Sequence, residues 1–171
     1  MKKFFLFVAF AIMAVTTQAQ TLKGSLRELA LDGHACIKVD YSKANIYGMS
    51  ETEFAMYDME YAEDRGEVEE EFIEEFCEHL GGSLLCSPYS DSPFTIVAQM
   101  KSVTDHGTTT CDLHVYKRNA SGKDVKVASI TGFKRRGGYF DSKADLMKDG
   151  AENVGKACGN YLRTALFKAG R

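Results

Sequence analysis

Hydrophobic and polar positions change their period several times along this chain, and each change marks an element. From Glu67 to Leu80, the residues Val68, Phe72, Phe76 and Leu80 recur every four positions, Ile73 and Cys77 widen the stripe, and glutamates fill the opposite face. That spacing predicts an amphipathic helix closed by Gly81 and Gly82. From Cys36 to Tyr41 the period is two, with Ile37 and Val39 on one side and Lys38 and Asp40 on the other, as a half-buried strand requires. Between these segments Ser50 and Glu53 have capping-box spacing, so a short helix is expected to begin there and to end or bend at Gly66.

Three alternating stretches follow, Phe94 to Thr104, Thr109 to Lys117 and Asp124 to Phe133, separated by Asp105-His106-Gly107 and Asn119-Ala120-Ser121-Gly122. Glycine and short polar residues at those breaks suit chain reversals, so the region predicts a β-meander. In its middle strand Cys111, Leu113 and Val115 share one face while Asp112, His114 and Tyr116 share the other, giving the sheet a core side and a wetter side. After Gly137-Gly138, Ser142 can start a long helix through Leu146, Met147, Val154, Cys158, Tyr161, Leu162 and Leu166. It carries a small-residue stripe, Gly150, Ala151, Gly155 and Gly159. Each helical glycine costs up to about 1 kcal/mol against alanine, and close packing of the helix across the sheet is the compensation expected. These elements predict an α+β fold: an antiparallel sheet of four or five strands with helices at Glu67 to Leu80 and Ser142 to Phe167 packed on one face.

The start of the chain changes the picture from fold to address. Lys2 and Lys3 precede an apolar run from Phe4 to Val15, and small residues Thr17 and Ala19 suit a cleavage pocket, so residues 1–19 read as a signal peptide. The mature chain then begins at Gln20 and is expected in the periplasm or outside the cell as a single α+β domain over residues 20–171, about 150 residues with a substantial core. No cysteine sits at the processing site, so no lipid anchor is expected, and no transmembrane segment remains after cleavage.

Charge narrows the partners. The formal charge is −3, and losing Lys2 and Lys3 with the leader takes it to −5, which disfavours nucleic acid. Its distribution is uneven: Glu51 to Glu78 is densely acidic with Arg65 the sole Lys or Arg, while the chain from Lys101 onward is net basic, most sharply at Lys134-Arg135-Arg136. A dipolar exported protein could steer toward a charged partner, although solvated faces balancing one another explain the same pattern. The acidic stripe from Glu69 to Glu78 reads as a solvated helix face, because a continuous helix cannot wrap a calcium ion.

Chemistry is sparse. Cys77, His79 and Cys86, or His106, Cys111 and His114, fall near one another without a standard zinc spacing, and no cofactor signature is present. No Gly-x-Ser-x-Gly elbow occurs; His34 and Cys36 could face the same way in an extended segment, but no third group is identifiable to orient them. Lys134, Arg135 and Arg136 stand before Gly137-Gly138 and a helix start, an arrangement able to receive an anion, and with His114 and Tyr116 on the wetter sheet face they are the candidate ligand-binding residues. A plain basic turn is the competing reading. Five cysteines, Cys36, Cys77, Cys86, Cys111 and Cys158, allow two disulfides and one remaining thiol; Cys77 and Cys86, flanking the Gly81-Gly82 turn, are the best local pair, with buried unpaired cysteine as the alternative.

The segments Ser92 to Val97 leading into Val103 to Gly107, and Gly132 to Gly159 with its Gly-Gly-Tyr-Phe turn, resemble a group of small exported bacterial proteins of unknown function. The order of strand, acidic helix, antiparallel strands and C-terminal helix is also similar to the α+β domain of envelope proteins related to the curli-secretion channel subunit. The first resemblance implies fold and address and supplies no catalytic residues. The second implies an interaction role at the cell envelope, though this chain lacks both a lipid-anchor cysteine and a membrane-inserting hairpin. The sequence thus points to a non-catalytic envelope or secreted interaction module with a possible envelope protein partner. A small-molecule or anion-binding periplasmic protein is the alternative, and a hydrolase around His34 and Cys36 a weaker third.

Overall fold

A computed structural model describes residues 19–139 and 141–171; the leader expected over 1–19 lies outside the described residues apart from Ala19. Its strands are β1 (Thr21–Gly24), β2 (His34–Asp40), β3 (Asn45–Ile46), β4 (Leu85–Ser87), β5 (Phe94–Thr104), β6 (Thr108–Arg118) and β7 (Asp124–Arg135). Its helices are α1 (Arg27–Asp32), α2 (Glu51–Tyr57), α3 (Met59–Leu80) and α4 (Lys143–Ala169). The meander expected from alternation is present as β5, β6 and β7, paired antiparallel with Leu113 opposite both Ala98 and Ile130.

The sheet departs from expectation in size and direction. It has seven strands in the order β1-β7-β6-β5-β2-β4, with β3 also on β5, and it is mixed, not purely antiparallel. β2 runs parallel to β5 and to β4, and β3 runs parallel to β5. The physical reason lies in the connection: α2 and α3 carry the chain from the β2 side back to β4, and a helical crossover returns a strand in the same direction. Strands of two to four residues, such as β1, β3 and β4, are too short to leave a readable period.

The helices also differ from the reading of the sequence. Ser50 caps α2 with a complete capping box, as expected, accepting from the Glu53 amide while the Glu53 carboxylate accepts from the Ser50 amide. The break comes at Asp58, not at Gly66. Asp58 leaves helical geometry at φ −117°, ψ 102°, and its carboxylate accepts from the Tyr61 amide at 3.1 Å to start α3. The 22-residue helix runs through Gly66, where an added Cβ would meet nothing within 4 Å, so glycine faces open space and the helix tolerates it. Tyr61 is fully buried and joins Tyr47 and Phe54 in a row of tilted rings 5.4 and 4.9 Å apart.

Helix α4 begins at Ser142, whose hydroxyl accepts from the Asp145 amide. Its small-residue stripe packs more closely than expected and mainly elsewhere than on the sheet. A Cβ at Gly155 would lie 2.7 Å from the Phe72 carbonyl oxygen of α3, and one at Gly159 2.4 Å from that of Phe76. On the other flank, a Cβ at Gly150 would lie 2.1 Å from the carbonyl oxygen of Gly107, in the turn before β6. The helix pair is then laced outside the core by Lys148 with Glu67 and by Lys156 with Glu75. Beneath them Phe72, Phe76, Val154 and Leu162 bury against Ile37, Ile96, Met100 and Leu113. Among the described residues no helix is long and apolar enough to cross a membrane.

Two glycine substitutions should therefore move stability in opposite directions. Gly155→Leu is expected to cost about 1–3 kcal/mol through overpacking against Phe72, whereas Gly66→Ala should add up to about 1 kcal/mol by raising helix propensity at an open site. Urea unfolding of both variants checks the pair.

Candidate functional site

Register assigns every sheet side chain to a face. On the meander and β2, Ile37, Ile96, Ala98, Leu113, Val115 and Ile130 point to the helices and are buried. The intervening positions, including Lys38, Thr95, Val97, Gln99, Asp112, His114, Tyr116 and Ser129, point to the opposite face, on which no helix packs among the described residues. His114 stands near its middle, flanked in register by Val97 on β5 and Ser129 on β7.

Polar contacts hold this face in a defined arrangement. The Lys126 ammonium lies over the Tyr116 ring, 5.5 Å from its centroid. Lys101 pairs with Asp112 at 3.1 Å, the Gly132 amide donates to the other Asp112 oxygen at 3.1 Å, and Gln99 donates to Asp40 at 3.1 Å. Lys23, Lys38, Lys101, Lys126 and Lys134 face outward here against Asp40 and Asp112, so the helix-free face is net basic. His114 Nδ1 is buried without a hydrogen-bond partner among the described residues. Desolvation, followed by the nearby Lys126 charge, holds this imidazole below the ordinary histidine range, against the smaller opposing pull of Asp112.

At one end the loop after β4 leans over the face. Cys36, Lys38, Thr95 and Arg118 form the floor of a cleft of about 280 Å³ walled by residues 88–92. Arg118 is exposed and reaches Asp124 at 3.3 Å, and Thr95 stands directly across from Tyr116. The sequence carried a signal for this end that the candidate residues leave out: Arg118 continues the alternation of Asp112, His114 and Tyr116, and Lys38 sits on the polar side of its strand.

The candidate residues named from sequence are only partly brought together. His114 and Tyr116 do share the open face. Lys134 shares it too, but opposite Thr110, four residues along β6 from His114 and so about 13 Å away. Arg135 pairs with Thr109, whose side chain is buried on the helix side, and therefore turns to the other face; Arg136 lies beyond the strand with its guanidinium 3.9 Å from the centroid of the Tyr139 ring. The three basic residues do not form one anion site with His114 and Tyr116.

Other candidate chemistry falls apart similarly. The His34 ring is exposed and hydrogen-bonds the Asp32 carbonyl at 3.0 Å, while the Cys36 thiol donates to the Pro88 carbonyl at 3.4 Å, so each is engaged away from the other. Among the described residues no three His, Cys, Asp or Glu side chains gather as a metal site would need. Cys77 and Cys86 are free thiols placed against each other, the Cys77 thiol donating to the Cys86 carbonyl at 3.5 Å.

The sequence matches no protein-family profile and no curated protein. The fold is similar to the PelC dodecamer from Paraburkholderia phytofirmans, with a TM-score of 0.41 and 12% identity over 81% of this chain and 96% of that chain. It is also similar to a variant of that dodecamer from the same organism in another crystal form, with a TM-score of 0.39 and 12% identity over 82% of this chain and 96% of that one.

The His114 environment has a pH consequence. Its folded-state pKa is lowered, so the unfolded chain binds the proton more readily, and stability present above about pH 6.5 is lost as pH falls below it. Thermal melts between about pH 7 and pH 5 should show a steeper acid-side decline for the wild type than for His114→Gln.

Proposed function

We propose that this protein is a non-catalytic interaction module, exported as a single α+β domain over residues 20–171, that docks an acidic envelope protein on the helix-free face of its sheet. One observation carries the reading: the helices cover a single face, and the other presents Lys23, Lys38, Lys101, Lys126, Lys134 and Arg118 around His114 and Tyr116, against Asp40 and Asp112 and, at the Arg118 end, Asp91 and Asp124. Half-buried aromatic and polar groups rimmed by exposed cations are suited to a protein surface of opposite charge, where steering and register matter more than depth. Expected export comes from the leader, and a face that holds its side chains in fixed register suits an interaction role.

A second reading rests on the cleft beside this face. Lys38 and Arg118 flank Ser90, Ser92 and Thr95, a set able to hold a small anion, although Asp91 and the Arg118–Asp124 pair reduce its positive field.

Charge reversal separates the two. A fluorescent poly-glutamate peptide, used as a mimic of an acidic partner surface, should bind with an affinity that falls steeply with salt, and Lys38→Glu combined with Lys126→Glu should weaken it at least tenfold while leaving the melting temperature unchanged. Equal binding by wild type and the double variant would remove the docking proposal. A saturable thermal shift with inorganic phosphate, abolished by Arg118→Ala, would favour the anion cleft. Salt-sensitive self-association without peptide binding would make a second copy, through its acidic α3, the occupant.

A further inference from the structure

The fold sorts the five thiols in a way that their positions along the chain conceal. Cys77 on α3 and Cys86 on β4 lie against each other, the Cys77 thiol donating to the Cys86 carbonyl at 3.5 Å and Cys86 in register with the buried Ala35, both half-buried at the end of the sheet. Cys158 stands one turn before Tyr161 on α4, whose ring meets edge-on the ring of Phe133, the residue opposite Cys111 on β6, and both thiols are fully enclosed between helix and sheet. The fifth thiol is set apart by register. Ala35, not Cys36, lies opposite Cys86, and Cys36 pairs with Ser87, so its side chain projects to the helix-free face and donates to the Pro88 carbonyl.

We propose that these are two redox pairs, Cys77 with Cys86 and Cys111 with Cys158, each able to close to a disulfide, and that Cys36 remains a thiol. The Cys111–Cys158 pair would tie the long C-terminal helix to the middle of the sheet, a cross-link between elements far apart in sequence. The Cys77–Cys86 pair would tie the three-residue strand β4 to α3. With oxidised glutathione as the oxidant, a Cys77 thiolate attacks the glutathione disulfide and releases one glutathione thiolate; Cys86 then displaces the second. Each closure removes two protons and two electrons from the protein and reduces one glutathione disulfide to two thiols.

The two pairs differ in access, and that difference gives the proposal a kinetic signature. Its close neighbour Cys86 holds the Cys77 thiol below the ordinary cysteine range, which favours the attacking thiolate, and both residues are only partly buried. Cys158 is raised by burial, so its thiol stays protonated and shielded in the native protein. The first pair therefore closes in the folded protein, whereas the second closes while the chain folds around it.

The test treats the full chain without its leader in two ways. Reduced native protein is exposed to oxidised glutathione, and reduced unfolded protein is refolded in a glutathione redox buffer; both are then alkylated after denaturation and mapped by non-reducing peptide mass spectrometry. The native sample should yield the Cys77–Cys86 bridge alone, with Cys36, Cys111 and Cys158 alkylated. The refolded sample should yield both bridges with Cys36 alkylated, and should melt about 10 °C above its reduced form. In Cys158→Ala refolded in the same buffer, the Cys77–Cys86 bridge should persist with Cys111 alkylated. A dominant bridge containing Cys36, or refolded wild-type protein in which Cys111 and Cys158 both remain alkylatable, would overturn the proposal without depending on any variant's ability to fold.

Discussion

The architecture depends on how near α4 comes to the backbone on two sides of it. Side chains normally hold helices 8 to 10 Å apart, yet the carbonyls of Phe72 and Phe76 lie where any Cβ at Gly155 or Gly159 would stand, and the Gly107 carbonyl does the same at Gly150. Glycine is expensive within a helix, and the cost is met by what the approach permits: α3 and α4 lie side by side as one layer, closing Phe72, Phe76, Cys158 and Leu162 over the sheet. Ion pairs such as Lys156 with Glu75 then sit at the rim of that contact, partly exposed, where they orient the two helices more than they stabilise them.

How much of this was legible depends on the length over which a pattern repeats. The three meander strands and the capping residues Ser50 and Ser142 stand where alternation and capping chemistry put them, because eleven or twelve residues of period two, or a Ser three positions before an acidic side chain, leave little room for another assignment. The parallel additions β3 and β4 escaped because their short lengths cannot show a period, and parallel pairing is set by partners far along the chain. Gly66 misled for a different reason. Its propensity argues for a break, but Tyr61 and Val68 on either side are both fully buried, and that tertiary gain outweighs a local cost.

The candidate site shows the same division. Alternation placed His114 and Tyr116 on an open face correctly, since one residue of register decides the face. It did not group Lys134, Arg135 and Arg136, which are contiguous in sequence yet diverge: successive strand residues point in opposite directions, and the third leaves the strand to stack on Tyr139. A run of like charge on a strand is therefore two surfaces, not one. The resulting layout separates sign by layer, with glutamates along the outer side of α3 and lysines across the helix-free sheet.

The ends of the sheet bear on how the molecule behaves in a crowd. Its long strands, β5, β6 and β7, lie inside the strand order, and the strands that end it among the described residues are β1, β4 and the off-path β3, of four, three and two residues. An exposed strand offers unsatisfied peptide groups to any extended chain nearby, and the number of bonds on offer grows with its length. Borders this brief give a stray peptide too few ladder bonds to repay the entropy of ordering it, so a sheet with one broad uncovered face can remain dispersed without being drawn into cross-β polymer.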